Sequence, residues 1–155
     1  MKRTKAKEGF TLIELMIVIA VIGILAAVLI PYTFRAQDRA RETGVLNAAR
    51  AIQTGLEMYA SNQTGFPWYP NDATSIKSLT TLVSPAPNNP FSATGYLSAV
   101  NQSTSDTSIF YLGGTATGTG NPGVIVYQTT GNAYTLIPYG AQGTNQLGNP
   151  LAGGR

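Results

Sequence analysis

Glu14 is the residue whose chemistry most needs explaining. It interrupts a mostly apolar run from Phe10 to Ile30 that holds no other charge. Near the centre of a bilayer a carboxylate costs about 2.5–3.5 kcal/mol, so it persists there only if paired, protonated or useful. Two roles suit its place. At headgroup level it would favour the positive end of a helix dipole; inside an apolar bundle it would need a cation from a neighbour. Few other side chains could do chemistry. The sequence has no His and no Cys, which removes the side chain that titrates near neutrality, thiol nucleophiles, zinc–thiolate sites and disulfides. Beyond residue 60 the only acids are Asp72 and Asp106, and Lys77 stands beside Ser78 with no nucleophile motif around it. No phosphate-cradling glycine loop is present. The expectation is a chain without catalysis, cofactor or bound metal.

Charge placement excludes a second class. The 155 residues carry a formal net charge of +3. Lys2, Arg3, Lys5 and Lys7 against Glu8 account for all of it. After residue 9, Arg35, Arg39, Arg41, Arg50, Lys77 and Arg155 are balanced by Glu14, Asp38, Glu42, Glu57, Asp72 and Asp106. Nucleic-acid binding needs Lys or Arg to neutralise phosphates, and no strong site for it is evident.

The elements that must position Glu14 follow from hydrophobic period. Phe10 to Ile30 matches the roughly 20 apolar residues that span a bilayer as a helix. A secretory signal peptide is the plainer reading, but no small-x-small cleavage site follows: Ala26 and Ala27 lie inside the run. Beyond Pro31 the apolar residues Val45, Ala49, Ile52, Leu56 and Tyr59 recur at helical spacing, with Asn47, Arg50, Gln53, Thr54 and Glu57 on the other face. One helix from Phe10 to about Ala60 is predicted, near 75 Å long at about 1.5 Å per residue. Gly23 and Pro31 are its weak points, since Gly loses the most entropy in a helix and Pro lacks the backbone donor. Arg35, Asp38, Arg39, Arg41 and Glu42 form a mixed-charge patch, solvated or shared between subunits.

These residues carry a resemblance. Lys5-Ala-Lys-Glu-Gly9-Phe10-Thr-Leu-Ile-Glu14-Leu-Met-Ile-Val-Ile, followed by Ile24-Leu-Ala-Ala-Val-Leu-Ile-Pro31, resembles the class III signal of type IV pilins and pseudopilins. It covers about the first 55 residues. The resemblance implies a structural filament subunit of a type IV pilus. Prepilin peptidase would cut between Gly9 and Phe10 and methylate the new Phe10 amine. Glu14 would then neutralise the Phe10 amine of an adjacent subunit, an axially offset contact that propagates as a helical filament. The implied partners are further copies of the chain, the peptidase, the inner-membrane assembly platform and the cytoplasmic membrane, with an extracellular filament as the final location. Between Gly23 and Pro31 either a small-residue packing face or a stretch melted in the filament is expected.

From residue 61 the composition changes to Pro, Gly and uncharged polar residues. Gly95–Val100, Ser108–Leu112, Val124–Thr129 and Ala133–Pro138 are strand-like, the last two flanking a Thr130-Gly131-Asn132 turn. Ser75–Val83 suggests a short helix, and Gly140 to Arg155 a loop. The predicted fold class is α+β and type IV pilin-like: one long helix packed on a small antiparallel sheet. The expected divisions are a leader (1–9), a transmembrane and assembly helix (10–31), an amphipathic half (32–60) and a β-rich head (61–155). Phe66-Pro67-Trp68-Tyr69-Pro70 either caps the core or offers a stacking surface. Asn62-Gln-Thr64 and Asn101-Gln-Ser103 fit the N-glycan pattern. Two alternatives stand beside a pilus subunit. One is a pseudopilin of a type II secretion system, since Leu56-Glu-Met-Tyr59, Gly65-Phe-Pro67 and Asn89-Pro90-Phe91 are loosely similar to the core pseudopilins. The other is a monomeric, membrane-tethered binding module.

Overall fold

The long helix exists, and it starts where the sequence supplies a cap. In the computed structural model, which describes residues 9–65, 68–98, 100–101, 110–112 and 121–154, α1 runs from Leu12 to Asn62 with Pro31 inside it. The chain divides into two compact units, Met1–Gln37 and Asp38–Arg155.

In the first unit the large apolar side chains of α1 from Leu12 to Ile30 are exposed. This part of α1 is long and apolar enough to cross a membrane, by length and composition, with a mean hydropathy of 3.0.

In the second unit α1 buries the predicted stripe. Val45, Ala49, Ile52 and Leu56 are fully buried, and Ala48, Gly55 and Ala60 widen the face. They pack against Tyr69, Ile76, Leu79, Tyr96, Leu97, Ile125, Tyr127 and Leu136, and Tyr59 lies partly buried at the edge. Helix α2 (Ala73–Ser78) brings Ile76 into this core and continues into a 3-10 turn, Leu79–Thr81. Asp72 caps α2. Its Oδ1 accepts from the Thr74 and Ser75 backbone N–H groups at 2.8 and 2.9 Å, and its Oδ2 from the Ser75 hydroxyl at 2.6 Å.

Five strands follow: β1 (Val100–Asn101), β2 (Phe110–Leu112), β3 (Ile125–Thr129), β4 (Ala133–Pro138) and β5 (Leu151–Gly154). They lie in chain order in one sheet. The β3–β4 hairpin pairs Ile125 with Pro138 through Thr129 with Tyr134. It closes over the predicted turn, where Gly131 takes φ +90° and the Thr130 N–H donates to the Ala133 carbonyl at 3.0 Å. Along β4 burial alternates, with Tyr134, Leu136 and Pro138 buried. On the opposite face of the sheet Val124, Val126 and Tyr139 form a second cluster with Ile137.

The α+β fold is as expected, with three differences in the sheet. Its antiparallel part is β3–β4–β5, while β1 and β2 join parallel to β3. Of the run predicted as strand from Gly95, Val100 pairs in β1, while Gly95 makes an isolated bridge to Asn88. Within the predicted terminal loop, Leu151–Gly154 pairs antiparallel with Ala133–Leu136. Two glycines conceal β5 from any propensity reading, and packing explains one of them. A Cβ on Gly153 would collide with Glu57 Oε1 and lie 2.6 Å from Tyr134 Cε1.

Candidate functional site

At the amino-terminal end Phe10 is 88% exposed and Glu14 is exposed on the first turn of α1. The structure does not bring Phe10 and Glu14 of one chain together. The Glu14 carboxylate reaches back to Thr11, which precedes the helix. Glu14 Oε2 accepts from the Thr11 backbone N–H and hydroxyl, both at 2.8 Å, and the Glu14 N–H donates to Thr11 Oγ1 at 3.3 Å. This is a capping box, in which two end groups satisfy each other across three residues. Its signal, Thr-x-x-Glu, stands in the sequence. Gly23 and Pro31 both lie within α1. A Cβ on Gly23 would meet nothing within 4 Å.

The second set of polar contacts ties α1 to the head. Arg41 lies over the Phe91 ring, 5.7 Å from its centroid. Glu42 Oε1 accepts from the Ala141 N–H at 3.1 Å. Two members of the mixed-charge patch therefore hold head loops. Glu57, on the polar side of the predicted stripe, also faces the head. Its Oε1 accepts from the Tyr134 phenol at 2.7 Å and its Oε2 from the Tyr69 phenol at 3.1 Å. Those two rings meet edge-on with centroids 4.7 Å apart, and Tyr127 lies 6.2 Å from Tyr134. Burial pushes the Tyr134 phenol up, and the hydrogen bond to Glu57 and its negative charge push the same way. Burial likewise raises the phenols of Tyr96 and Tyr127, whose O–H groups donate to the carbonyls of Gly123 at 2.6 Å and Pro70 at 2.8 Å. Helical period placed Glu57 away from the apolar stripe; no pattern within α1 announces phenols arriving from residues 69 and 134.

Of the aromatic loop, Tyr69 is buried and Trp68 is partly buried against the main core, so these two cap the core. Phe66 and Pro67 lie outside the described residues, as do residues 1–8 of the predicted leader, Asp106, Gln102 and Ser103.

Residues 4–30 match the family described as the prokaryotic N-terminal methylation motif. Over 63 residues the chain is 52% identical to the type IV wide pilus major component of Thermus thermophilus, covering 36% of this chain and 48% of that one. It is 39% identical over 65 residues to the type IV major pilin protein of Myxococcus xanthus, covering 42% and 30%. It is also 36% identical over 63 residues to the type II secretion system core protein G of Pseudomonas aeruginosa, covering 41% and 44%. The chain carries the amino-terminal segment of the type IV pilin and pseudopilin superfamily. Superfamily relatives of both kinds match, so this segment does not separate pilus from secretion-system subunits. The chain spans about half the length of the curated relatives it matches, from 30% to 66% of each. No solved structure matches it significantly. In the head, Glu57, Tyr69 and Tyr134 fasten helix to sheet.

Proposed function

We propose that this chain is a structural subunit of a type IV pilus. Prepilin peptidase cuts it between Gly9 and Phe10, methylates the Phe10 amine, and leaves it in the cytoplasmic membrane through residues 10–31 until the assembly platform polymerises it. The observation that carries this reading is the exposed apolar half of α1 preceded by Gly9-Phe10 and a carboxylate at Glu14. Apolar surface of that extent has to be covered by lipid or by other copies of the helix. Glu14 suits the exchange between the two. The capping box uses Oε2, so Oε1 is available to a charged amine from an axially shifted neighbour, which a packed apolar bundle would otherwise leave unpaired. Residues 32–60 serve as the helical spine of the head and residues 61–155 as the filament surface. The stretch from Gly23 to Pro31 is where α1 can unwind under axial load.

The decisive experiment is Glu14→Ala in a host that assembles the wild-type chain. The variant should retain the amino-terminal mass of the processed form and give no filaments in sheared fractions imaged by negative stain. Normal filament yield would sink the role assigned to Glu14.

A second reading, a pseudopilin of a secretion system, is favoured by the match to core protein G of Pectobacterium carotovorum, 30% identical across 62% of this chain. A head with only Asp106 and Arg155 charged after Lys77 supports the pilus.

A further inference from the structure

Immediately after the apolar run, α1 presents a different kind of surface. Tyr32 is 69% exposed and Phe34 62% exposed. Arg35 is exposed on the next turn, three residues after Tyr32, so the two share a helix face. Among the described residues Arg35 makes no hydrogen bond or ion pair. An open groove of about 180 Å3 is lined, among the described residues, by Pro31, Tyr32 and Arg35. Pro31, Tyr32 and Arg35 all belong to the first unit.

From this we infer that Tyr32 and Arg35 form a binding site for the phosphodiester of an anionic phospholipid. The inference rests on the proposed residence of residues 10–31 in a membrane. Given that residence, Tyr32 stands at the level of the lipid headgroups, where an aromatic ring with a polar tip is most stable. The guanidinium of Arg35 presents parallel N–H donors that match two unesterified phosphate oxygens, and the phenol adds a third donor from the same face. Phe34, two residues after Tyr32, lies on another side of α1 and takes no part in this pair. Charge decides between headgroups. A zwitterionic lipid brings its own cation to the phosphate, whereas a phosphatidylglycerol-type lipid leaves the negative charge for Arg35. The site therefore selects which lipids surround the stored subunit and fixes the depth of α1 in the bilayer. On polymerisation the lipid must leave before another helix can pack there.

The test uses the full chain in detergent micelles, titrated with equal amounts of phosphatidylglycerol and phosphatidylcholine, with bound lipid counted by native mass spectrometry. The basic leader residues also attract anionic lipid, so the readout is the change in the phosphatidylglycerol-to-phosphatidylcholine ratio between variants. Arg35→Gln should lower that ratio about fivefold, the selectivity one cation supplies near an anionic surface. Tyr32→Phe should lower it by a smaller factor, and Arg50→Gln, an exposed arginine further along α1 in the second unit, should leave it unchanged. An unchanged ratio in Arg35→Gln, or an equal loss in Arg50→Gln, overturns the inference. Addition of 20-fold excess inorganic phosphate should not displace the lipid; equal displacement would show a free-anion site and overturn it as well. Alkaline carbonate extraction from proteoliposomes separates the two levels. If the chain is released, the membrane reading itself fails; if it is retained while Arg35→Gln changes nothing, only the headgroup site fails.

Discussion

Replacing Glu57 by Ala should destabilise the head far more than an exposed helix residue normally would. Two phenols depend on this carboxylate. Tyr134 is 2% exposed and donates to Glu57 at 2.7 Å, and Tyr69, fully buried, donates at 3.1 Å. A hydrogen bond to a charged group contributes about 1.5–3 kcal/mol, and a buried donor left without an acceptor costs about 1–3 kcal/mol. Glu57 itself is exposed, so solvent screens its charge and the low end of both ranges applies. The expected loss is about 2 kcal/mol, or a midpoint lowered by about 8 °C. Trp68 is the only tryptophan and packs partly buried against the core, so its fluorescence can follow unfolding of the full chain in detergent. A cycle combining Glu57→Ala with Tyr134→Phe should give a coupling of about 1 kcal/mol. Strict additivity, or a single-variant loss under about 0.5 kcal/mol, would refute the claim that this carboxylate fastens helix to sheet.

Three further outcomes follow from the same geometry. The folded Tyr134 phenol titrates above its unfolded value of about 10, so its neutral form is favoured by folding. Its contribution is full below about pH 10 and is lost as pH rises through the folded value; Glu57→Gln, lacking the charge, should bring phenolate absorbance to a lower pH. Asp72 behaves oppositely. Hydrogen bonds from Ser75 hold its carboxyl below the usual carboxylate range. Its cap is therefore present above about pH 4 and lost as pH falls through the folded value, and Asp72→Ala should cost about 1 kcal/mol in denaturant unfolding at neutral pH but little near pH 2. Gly153→Ala would put a methyl against Glu57 and Tyr134, and should cost about 1–3 kcal/mol while Gly148→Ser, with open space but φ +66°, serves as a backbone-only comparison.

How much of this was legible beforehand depended on whether the determining contacts were local. The stripe from Val45 to Tyr59 and the strand from Ala133 to Pro138 were readable because burial on one side of a helix or strand imposes a period on the sequence itself. The Thr130-Gly131-Asn132 turn was readable because only a few residues tolerate its backbone. β5 was not, since a strand built from Leu-Ala-Gly-Gly takes its conformation from the β4 edge beside it. Glu57 was misjudged for a similar reason. Its position on α1 says polar, and only the tertiary fold reveals that polar here means two buried phenols. The amino-terminal end is the opposite case: Thr11 and Glu14 stand three residues apart in the sequence, and the capping box they form is wholly local.

The ties that complete the head span long stretches of chain. Glu42 with Ala141 and Gln53 with Ala152 each join residues 99 positions apart. A ribosome delivers α1 first, and its buried stripe is covered only in part by Tyr69, Ile76, Leu79, Tyr96 and Leu97 until β3 and β4 add Ile125, Tyr127 and Leu136. Closing such distant contacts is slow compared with forming the helix. Val45, Ile52 and Leu56 are therefore fully covered only after most of the chain has been made. A chain truncated before β5 would form α1 yet leave the β4 edge from Ala133 to Leu136 unpaired.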